Sequence, residues 1–86
     1  METNLFLSYN VANSSSLSGL NQLIKLFDPL LIFLQELTLT TEQILVQVGS
    51  QFDGVSNIDE NDPQRPRNAV LWRKGLYIVV ANIVAL

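Results

Sequence analysis

Two apolar stretches, each ending in polar residues, decide the fold: LFLSYN at residues 5–10 and LLIFLQE at residues 30–36. Between them, leucine, isoleucine and phenylalanine recur at three- and four-residue spacing, which is typical of an amphipathic helix. Asp28 is expected to end that helix, because the residue before a proline, here Pro29, is biased away from helical backbone. The pattern therefore predicts two adjacent parallel strands joined by a right-handed helical crossover. The predicted elements are strands at residues 5–10 and 30–35 and a helix at residues 16–27, capped by Ser14 or Ser16.

The rest of the chain predicts a second helix and antiparallel strands. A short helix is expected to follow a threonine cap, Thr40 or Thr41, and to end at a glycine. Residues 52–58 are predicted to hold an edge strand. Two apolar segments, 69–72 and 76–86, flank an Arg-Lys-Gly turn and predict a hairpin. The expected fold class is α/β, with a strand–helix–strand unit followed by a short helix and antiparallel strands.

The composition limits the chemistry that this chain can perform. Its 86 residues, 48% hydrophobic and 15% charged, suit one small globular domain rather than a disordered segment. Cysteine and histidine are both absent, which excludes disulfides, thiolate or histidine-ligated zinc, and any histidine base. The apolar runs are too short for a signal-peptide core or for the roughly 20 residues of a membrane span. The sequence therefore predicts an intracellular protein without a membrane partner.

Asn10 and Glu36 close the two strands of the predicted unit. Parallel neighbouring strands end at the same edge of a sheet, and open α/β sheets bind their ligands there. Amide and carboxylate oxygens are hard ligands of the kind that Mg²⁺ prefers. We therefore expect both side chains to lie within reach of one ion. Each has a structural alternative, since asparagine often closes a turn through its own backbone and Glu36 could be a solvated strand end.

Four of the five basic residues fall within ten positions: Arg65, Arg67, Arg73 and Lys74. This cluster is a candidate for contacts to DNA phosphates, which counterion release would make strongly salt-dependent. The alternative is a solvated charged face beside the acidic loop that precedes it. Trp72 lies within the same stretch, but its position in a predicted strand favours core packing over base stacking.

The ordered set of segments resembles the N-terminal part of the endonuclease/exonuclease/phosphatase superfamily, and most of all the apurinic-type endonuclease domain of non-LTR retrotransposons. The resemblance rests on an apolar strand ending Tyr9-Asn10-Val11, a serine-rich turn, a leucine-rich helix, Asp28-Pro29, and an apolar strand closed by Gln35-Glu36. The stretch RNAVLWRKGL at residues 67–76 is similar to the family's hairpin. The resemblance spans nearly all 86 residues but only about the first third of a full domain of that family.

The resemblance implies a partial α/β sandwich of the DNase I-like type and a phosphodiesterase that depends on Mg²⁺ or Mn²⁺. By resemblance, Glu36 would be the principal metal carboxylate, Asn10 would orient the phosphate or a metal-bound water, and Gln35 would support them. DNA would be the partner of the parent enzyme. Two departures stand out: Pro-Arg-Asn replaces the family's usual glycine pair, and the later tyrosine, Asp-x-Asn and Ser-Asp-His motifs are missing.

Three hypotheses of function stay open. The leading one makes residues 1–86 a truncated N-terminal portion of a retrotransposon-type DNA endonuclease, nuclear or otherwise intracellular, that is inactive alone. The near alternative is part of a phosphatase of inositol lipids or nucleotides from the same superfamily. The third is a degenerate, non-catalytic fragment that self-associates through exposed strand edges.

Overall fold

The computed structural model describes residues 5–57, 61–62 and 64–75. Among these residues the chain alternates short strands and helices and then continues as two antiparallel strands. The elements are β1 (Phe6–Asn10), α1 (Ser18–Phe27), β2 (Leu31–Leu37), α2 (Thr41–Val48), β3 (Phe52–Ser56) and β4 (Arg67–Arg73). Among the described residues, no helix is long and apolar enough to cross a lipid bilayer.

The four strands form one mixed sheet in the order β1-β2-β4-β3. Strands β1 and β2 are parallel neighbours, with Phe6 opposite Leu31 and Asn10 opposite Gln35. Strand β4 runs antiparallel to both of its neighbours, β2 and β3. The predicted strand–helix–strand unit with adjacent parallel strands is therefore confirmed, as is the small α/β architecture.

The helices cover one face of this sheet and form the core with it. Alternate residues of the central strands, Ile32 and Leu34 in β2 and Leu71 in β4, are almost fully buried. Leu20 of α1 and Ile44 of α2 belong to the same cluster of buried side chains. The buried side chains thus recur at every second residue along the strands and at every third or fourth residue along the helices, and the two sets pack against each other. Burial of each such side chain contributes roughly 1.5–3 kcal/mol, so this single cluster supplies most of the stabilisation available to so short a chain.

The start of α1 differs from the prediction. Leu17, rather than Ser14 or Ser16, occupies the N-cap position and makes no side-chain cap, although the Ser16 hydroxyl accepts a hydrogen bond from the Ser18 amide at 3.3 Å. The buried Leu17 amide donates instead to Gln47 Oε1 of α2 at 2.7 Å, and Gln47 Nε2 donates to the Ser15 carbonyl at 2.8 Å. A side chain of α2 therefore provides the hydrogen-bond acceptor for the backbone amide at the N-cap of α1.

The later elements follow the prediction more closely. Thr40 caps α2 in a capping box with Gln43, and Gly49 ends the helix. Strand β3 is an edge strand within the predicted range 52–58, and β4 extends the predicted 69–72 at both ends. The second strand of the predicted hairpin, residues 76–86, lies outside the described residues. Both edges of β4 are hydrogen-bonded, one to β2 and one to β3.

Replacement of Gly54 by alanine tests how closely β3 packs against the core. A Cβ on Gly54 would overlap Cδ2 of the buried Leu71 and would lie 3.2 Å from the Val70 carbonyl oxygen. We expect Gly54→Ala to lower the free energy of unfolding by about 1–3 kcal/mol, measured by urea denaturation followed by circular dichroism. Without that contact, alanine would stabilise a strand relative to glycine. Asp53→Ala, at the exposed neighbouring position, is the control, and a stabilised Gly54→Ala protein would contradict the packing.

Candidate functional site

The carboxyl ends of β1 and β2 lie together at one edge of the sheet. Val11, directly after β1, donates its amide to the Gln35 carbonyl at 2.8 Å. Two residues on, the Asn13 amide donates to the Glu36 carbonyl at 2.7 Å. The backbone that follows the first strand is therefore tied to the end of the second. That places Asn10 and Glu36 at the same edge, whereas their sharing of one ion stays a prediction.

Asn10 is exposed, and its side chain is oriented by a turn. Its Oδ1 accepts a hydrogen bond from the Ala12 amide at 2.8 Å, and the turn continues through Ala12 and Asn13 with φ of 54° and 60°. This is the structural role that the sequence left open for Asn10. An amide oxygen has two lone pairs, so the bond leaves one acceptor site available for a water or an ion. The turn therefore fixes where that acceptor lies.

Glu36 lies in a β-bulge that the sequence pattern did not reveal. The ladder between β2 and β4 pairs Leu34 with Ala69 and Leu37 with Arg67, so β2 carries one extra residue over that interval. Glu36 takes up the irregularity with a φ of 53° and is exposed to solvent. A non-glycine residue in this conformation costs of order 1 kcal/mol, and bulges of this kind re-aim side chains beside functional sites.

Gln35 bridges the two parallel strands beside the bulge. Its Nε2 donates to the Ser8 hydroxyl at 3.0 Å and to the Phe33 carbonyl at 3.1 Å. Both bonds hold the side chain on the face of the sheet that points away from the helices. These bonds tie the end of β2 to β1 next to Glu36, and a role of Gln35 in supporting a metal site stays a prediction.

A cleft of about 120 Å³ opens next to the bulge, between the end of β2 and the start of β4. It is lined by Gln35, Glu36, Asn57, Arg65, Pro66, Arg67 and Asn68. Arg67 is a buried cation, with 9% of its surface exposed, whereas Arg65 is exposed. The cleft thus combines one carboxylate with two guanidinium groups and three amides. Such a set suits a cation at its acidic side and an anion at its basic side.

Sequence reasoning missed Asn57, which lies after the edge strand. Asn57 Oδ1 accepts a hydrogen bond from the Asn68 amide at 2.8 Å, so the side chain clamps the start of β4. Its Nδ2 atom is buried and has no hydrogen-bond partner among the described residues. A buried donor without an acceptor is costly, and in a cleft it can be satisfied by a bound water or anion. No local motif marks this asparagine, because its partner is 11 residues away.

The basic cluster of the sequence is divided by β4. Arg65 and Arg67 line the cleft, but the Arg73 amide donates to the Leu30 carbonyl at 3.0 Å and therefore lies at the opposite end of β2. Six residue steps along a strand separate the two ends by about 20 Å. The Arg73 guanidinium pairs with Asp28 and lies 5.3 Å from the centroid of the Phe52 ring. Arg73 thus has a structural role, and the four basic residues do not form one patch.

A divalent cation fits this edge only as a sparsely ligated ion. Within the part of the chain that the structure describes, no group of three or more acidic residues could hold a metal. Glu36 offers one carboxylate, and the amide oxygens of the neighbouring Asn10 and Gln35 are neutral donors of the same hard type. Mg²⁺ commonly keeps several waters and uses one or two carboxylates together with substrate phosphates. The donor set is compatible with that mode and not with a fully protein-ligated site.

Comparison with known proteins found no family model that matches the chain, and no matching curated protein or solved structure. The resemblance drawn from the order of the segments therefore remains a hypothesis about the superfamily and its chemistry. What the structure shows is a small α/β domain with a strained acidic residue beside a basic cleft.

Replacement of Glu36 by glycine tests the strain at the bulge. Glycine adopts positive φ without steric cost, so the loss of strain should offset the greater entropy of the unfolded chain. We expect Glu36→Gly to leave the free energy of unfolding unchanged or to raise it by up to about 1 kcal/mol. The matched control is Glu42→Gly on α2, which should lower it by about 1 kcal/mol because glycine weakens a helix. Urea denaturation gives both values, and an equal loss in the two variants would contradict a strained bulge.

Proposed function

We propose that this chain forms the N-terminal portion of a metal-dependent phosphodiesterase domain of the DNA endonuclease type. The observation that carries the proposal is Glu36, an exposed carboxylate held in a strained bulge where two parallel strands end. Arg65 and Arg67 line the same cleft. A carboxylate for a cation beside guanidinium groups for an anion is the combination that a phosphodiester with its divalent ion requires.

Each residue of this edge has a distinct part in the proposed chemistry. Glu36 holds the cation through a carboxylate oxygen, while Gln35 ties that strand end to β1. The free acceptor site of Asn10 orients a water next to the ion. Arg65 and Arg67 neutralise a phosphate in the cleft. When bound, Mg²⁺ or Mn²⁺ would supply polarisation of a phosphate oxygen and stabilisation of the leaving oxygen.

Apart from Glu36, the described residues that line the cleft include no carboxylate or histidine that could activate the attacking water. Histidine is absent from the sequence, and Glu36 is the only carboxylate that lines the cleft among the described residues. Most of the rate enhancement in such reactions comes from holding the reactants in the correct geometry and from stabilising charge. We therefore propose that this chain binds the ion and the phosphate weakly and does not hydrolyse DNA alone.

A metal titration tests the binding half of this proposal. Paramagnetic Mn²⁺ should broaden the backbone amide resonances around Gln35 and Glu36 in a ¹H–¹⁵N spectrum, because the ion would lie next to them. Glu36→Gln removes the negative charge while keeping the shape of the side chain, and it should abolish most of that broadening. Glu42→Gln changes an exposed carboxylate on α2 and serves as the matched control. Broadening that persists in Glu36→Gln would remove Glu36 as the metal ligand.

A plasmid-nicking assay tests the catalytic half. With Mg²⁺ or Mn²⁺ present, we expect neither the native chain nor Glu36→Gln to nick supercoiled DNA above the background of buffer alone. Robust nicking by the native chain that is lost in Glu36→Gln would show that these 86 residues are an enzyme by themselves. Nicking that both proteins share would instead indicate a contaminating nuclease, which repurification to constant specific activity would reveal.

A further inference from the structure

Asn57 carries a buried hydrogen-bond donor whose orientation is fixed by the backbone next to it. Its own amide donates to the Asn68 carbonyl at 3.2 Å, and its Oδ1 accepts from the Asn68 amide at 2.8 Å. Because a backbone N–H only donates, the side chain cannot be turned over to exchange Oδ1 for Nδ2. The Nδ2 atom is therefore held where it is buried and has no acceptor among the described residues.

The missing acceptor points to an occupant of the cleft that Asn57 helps to line. A buried donor that has lost its water and found no acceptor destabilises a folded protein, so native structures retain few of them. Where one is retained, a bound water, an ion or a functional site commonly accounts for it. Arg65 and Arg67 line the same cleft, and guanidinium groups are donors as well. The basic side of the cleft is thus built from three side chains that carry donors.

An oxyanion fits this side of the cleft better than a water does. A water brings two protons of its own to side chains that donate, whereas the oxygens of a phosphate accept. Guanidinium groups also bind phosphate through charge-assisted hydrogen bonds, which are stronger than bonds between neutral groups. The cleft volume of about 120 Å³ equals the space of about four waters in the liquid. That is room for one phosphate group, whereas the sugar and base of a nucleotide would remain outside.

We propose that this cleft is a phosphate site in its own right, in which Asn57 Nδ2 donates to one oxygen and Arg65 to another, beside the positive charge of Arg67. The site rests on the proposed function, since it is the phosphate end of the same cleft. Asn57 is added as the residue that selects an oxyanion, and no metal at Glu36 is needed. Because Nδ2 is buried, a phosphate reaches it by displacing side chains of the lining, and the exposed Arg65 is able to move. Glu36 repels an anion, which confines the phosphate to the basic side.

A titration with inorganic phosphate tests the site in the native chain. Phosphate replaces chloride at constant ionic strength, without divalent metal, and ¹H–¹⁵N spectra follow the side-chain NH₂ signals of the asparagines and glutamines. We expect a saturable shift of the Asn57 NH₂ signal, because Nδ2 gains an acceptor, and none of the Gln22 signal, which reports an exposed position on α1. No saturable shift at Asn57, or an equal shift at Gln22, would overturn the proposal.

Replacement of Asn57 by aspartate removes the donor and keeps the shape of the side chain. An oxygen takes the place of Nδ2, while the other oxygen still accepts from the Asn68 amide, so the clamp on β4 is retained. We expect phosphate binding, followed at the Asn68 amide, to weaken at least about tenfold in Asn57→Asp. Gln22→Glu adds the same charge on α1 and is the matched control, which should keep the native affinity. Equal affinity in the two variants would contradict a donor at Asn57.

Arg65→Gln is a second variant, at an exposed position, and it keeps the proposal testable if Asn57→Asp does not fold. Loss of one guanidinium should weaken phosphate binding about fivefold or more, because a charge-assisted bond is lost. Native affinity in Arg65→Gln would show that the phosphate does not lie in this cleft.

The phosphate site and the metal site can be separated by experiment. Without metal, Glu36→Gln should keep phosphate binding or strengthen it, since a negative charge leaves the cleft, although the same change should abolish most of the Mn²⁺ broadening. Loss of phosphate binding in metal-free Glu36→Gln would overturn a site that is independent of the metal ligand. Phosphate binding by a native chain that shows no Mn²⁺ broadening would support this site and overturn the metal-dependent function. Mn²⁺ broadening at Glu36 in a chain that does not bind phosphate would do the reverse.

Discussion

The parallel register of β1 against β2 is the constraint on which the rest of the structure depends. It sets Phe6 opposite Leu31 and Asn10 opposite Gln35, so that both strands end together. A shift of one residue would turn Leu7 and Tyr9 away from the helices and expose them. Tyr9 packs against the core cluster, and a Cβ on Gly19 of α1 would lie only 2.7 Å from its hydroxyl. The same register that builds the core therefore also delivers the polar strand ends to one edge.

The bulge at Glu36 follows from a conflict between two requirements on β2. Leu34 and Leu37 are both buried in the core, but they are three residues apart, and a regular strand would place them on opposite faces. One extra residue resolves the conflict, and Glu36 takes it up with a positive φ. The exposed carboxylate and its strain are thus a consequence of keeping Leu37 inside. Function at this edge would make use of a distortion that packing already imposes.

Local patterns in the sequence predicted what is local in the structure. The switch from apolar runs to helical spacing gave β1, α1 and β2, and Thr40 and Gly49 marked both ends of α2. What the patterns could not give depends on partners far apart in the chain. Gln47 of α2 accepts a hydrogen bond from the Leu17 amide, 30 residues away, and Asn57 accepts one from the Asn68 amide, 11 residues away. The four basic residues do not form one patch for a similar reason. They are close in sequence, but the extended strand β4 holds Arg67 and Arg73 at its opposite ends.

The candidate site borders the face of the sheet that points away from the helices, on which Phe6 and Phe33 are exposed. Asn10 and Phe6 are four residues apart in β1, and Gln35 and Phe33 are two apart in β2, so all four side chains lie on the sheet face that points away from the helices. Charges interact more strongly where water is excluded, but Glu36 and Arg65 are both exposed to solvent in this structure. In the exposed arrangement, solvent screens both Glu36 and Arg65, which is the physical reason to expect weak ion binding without catalysis.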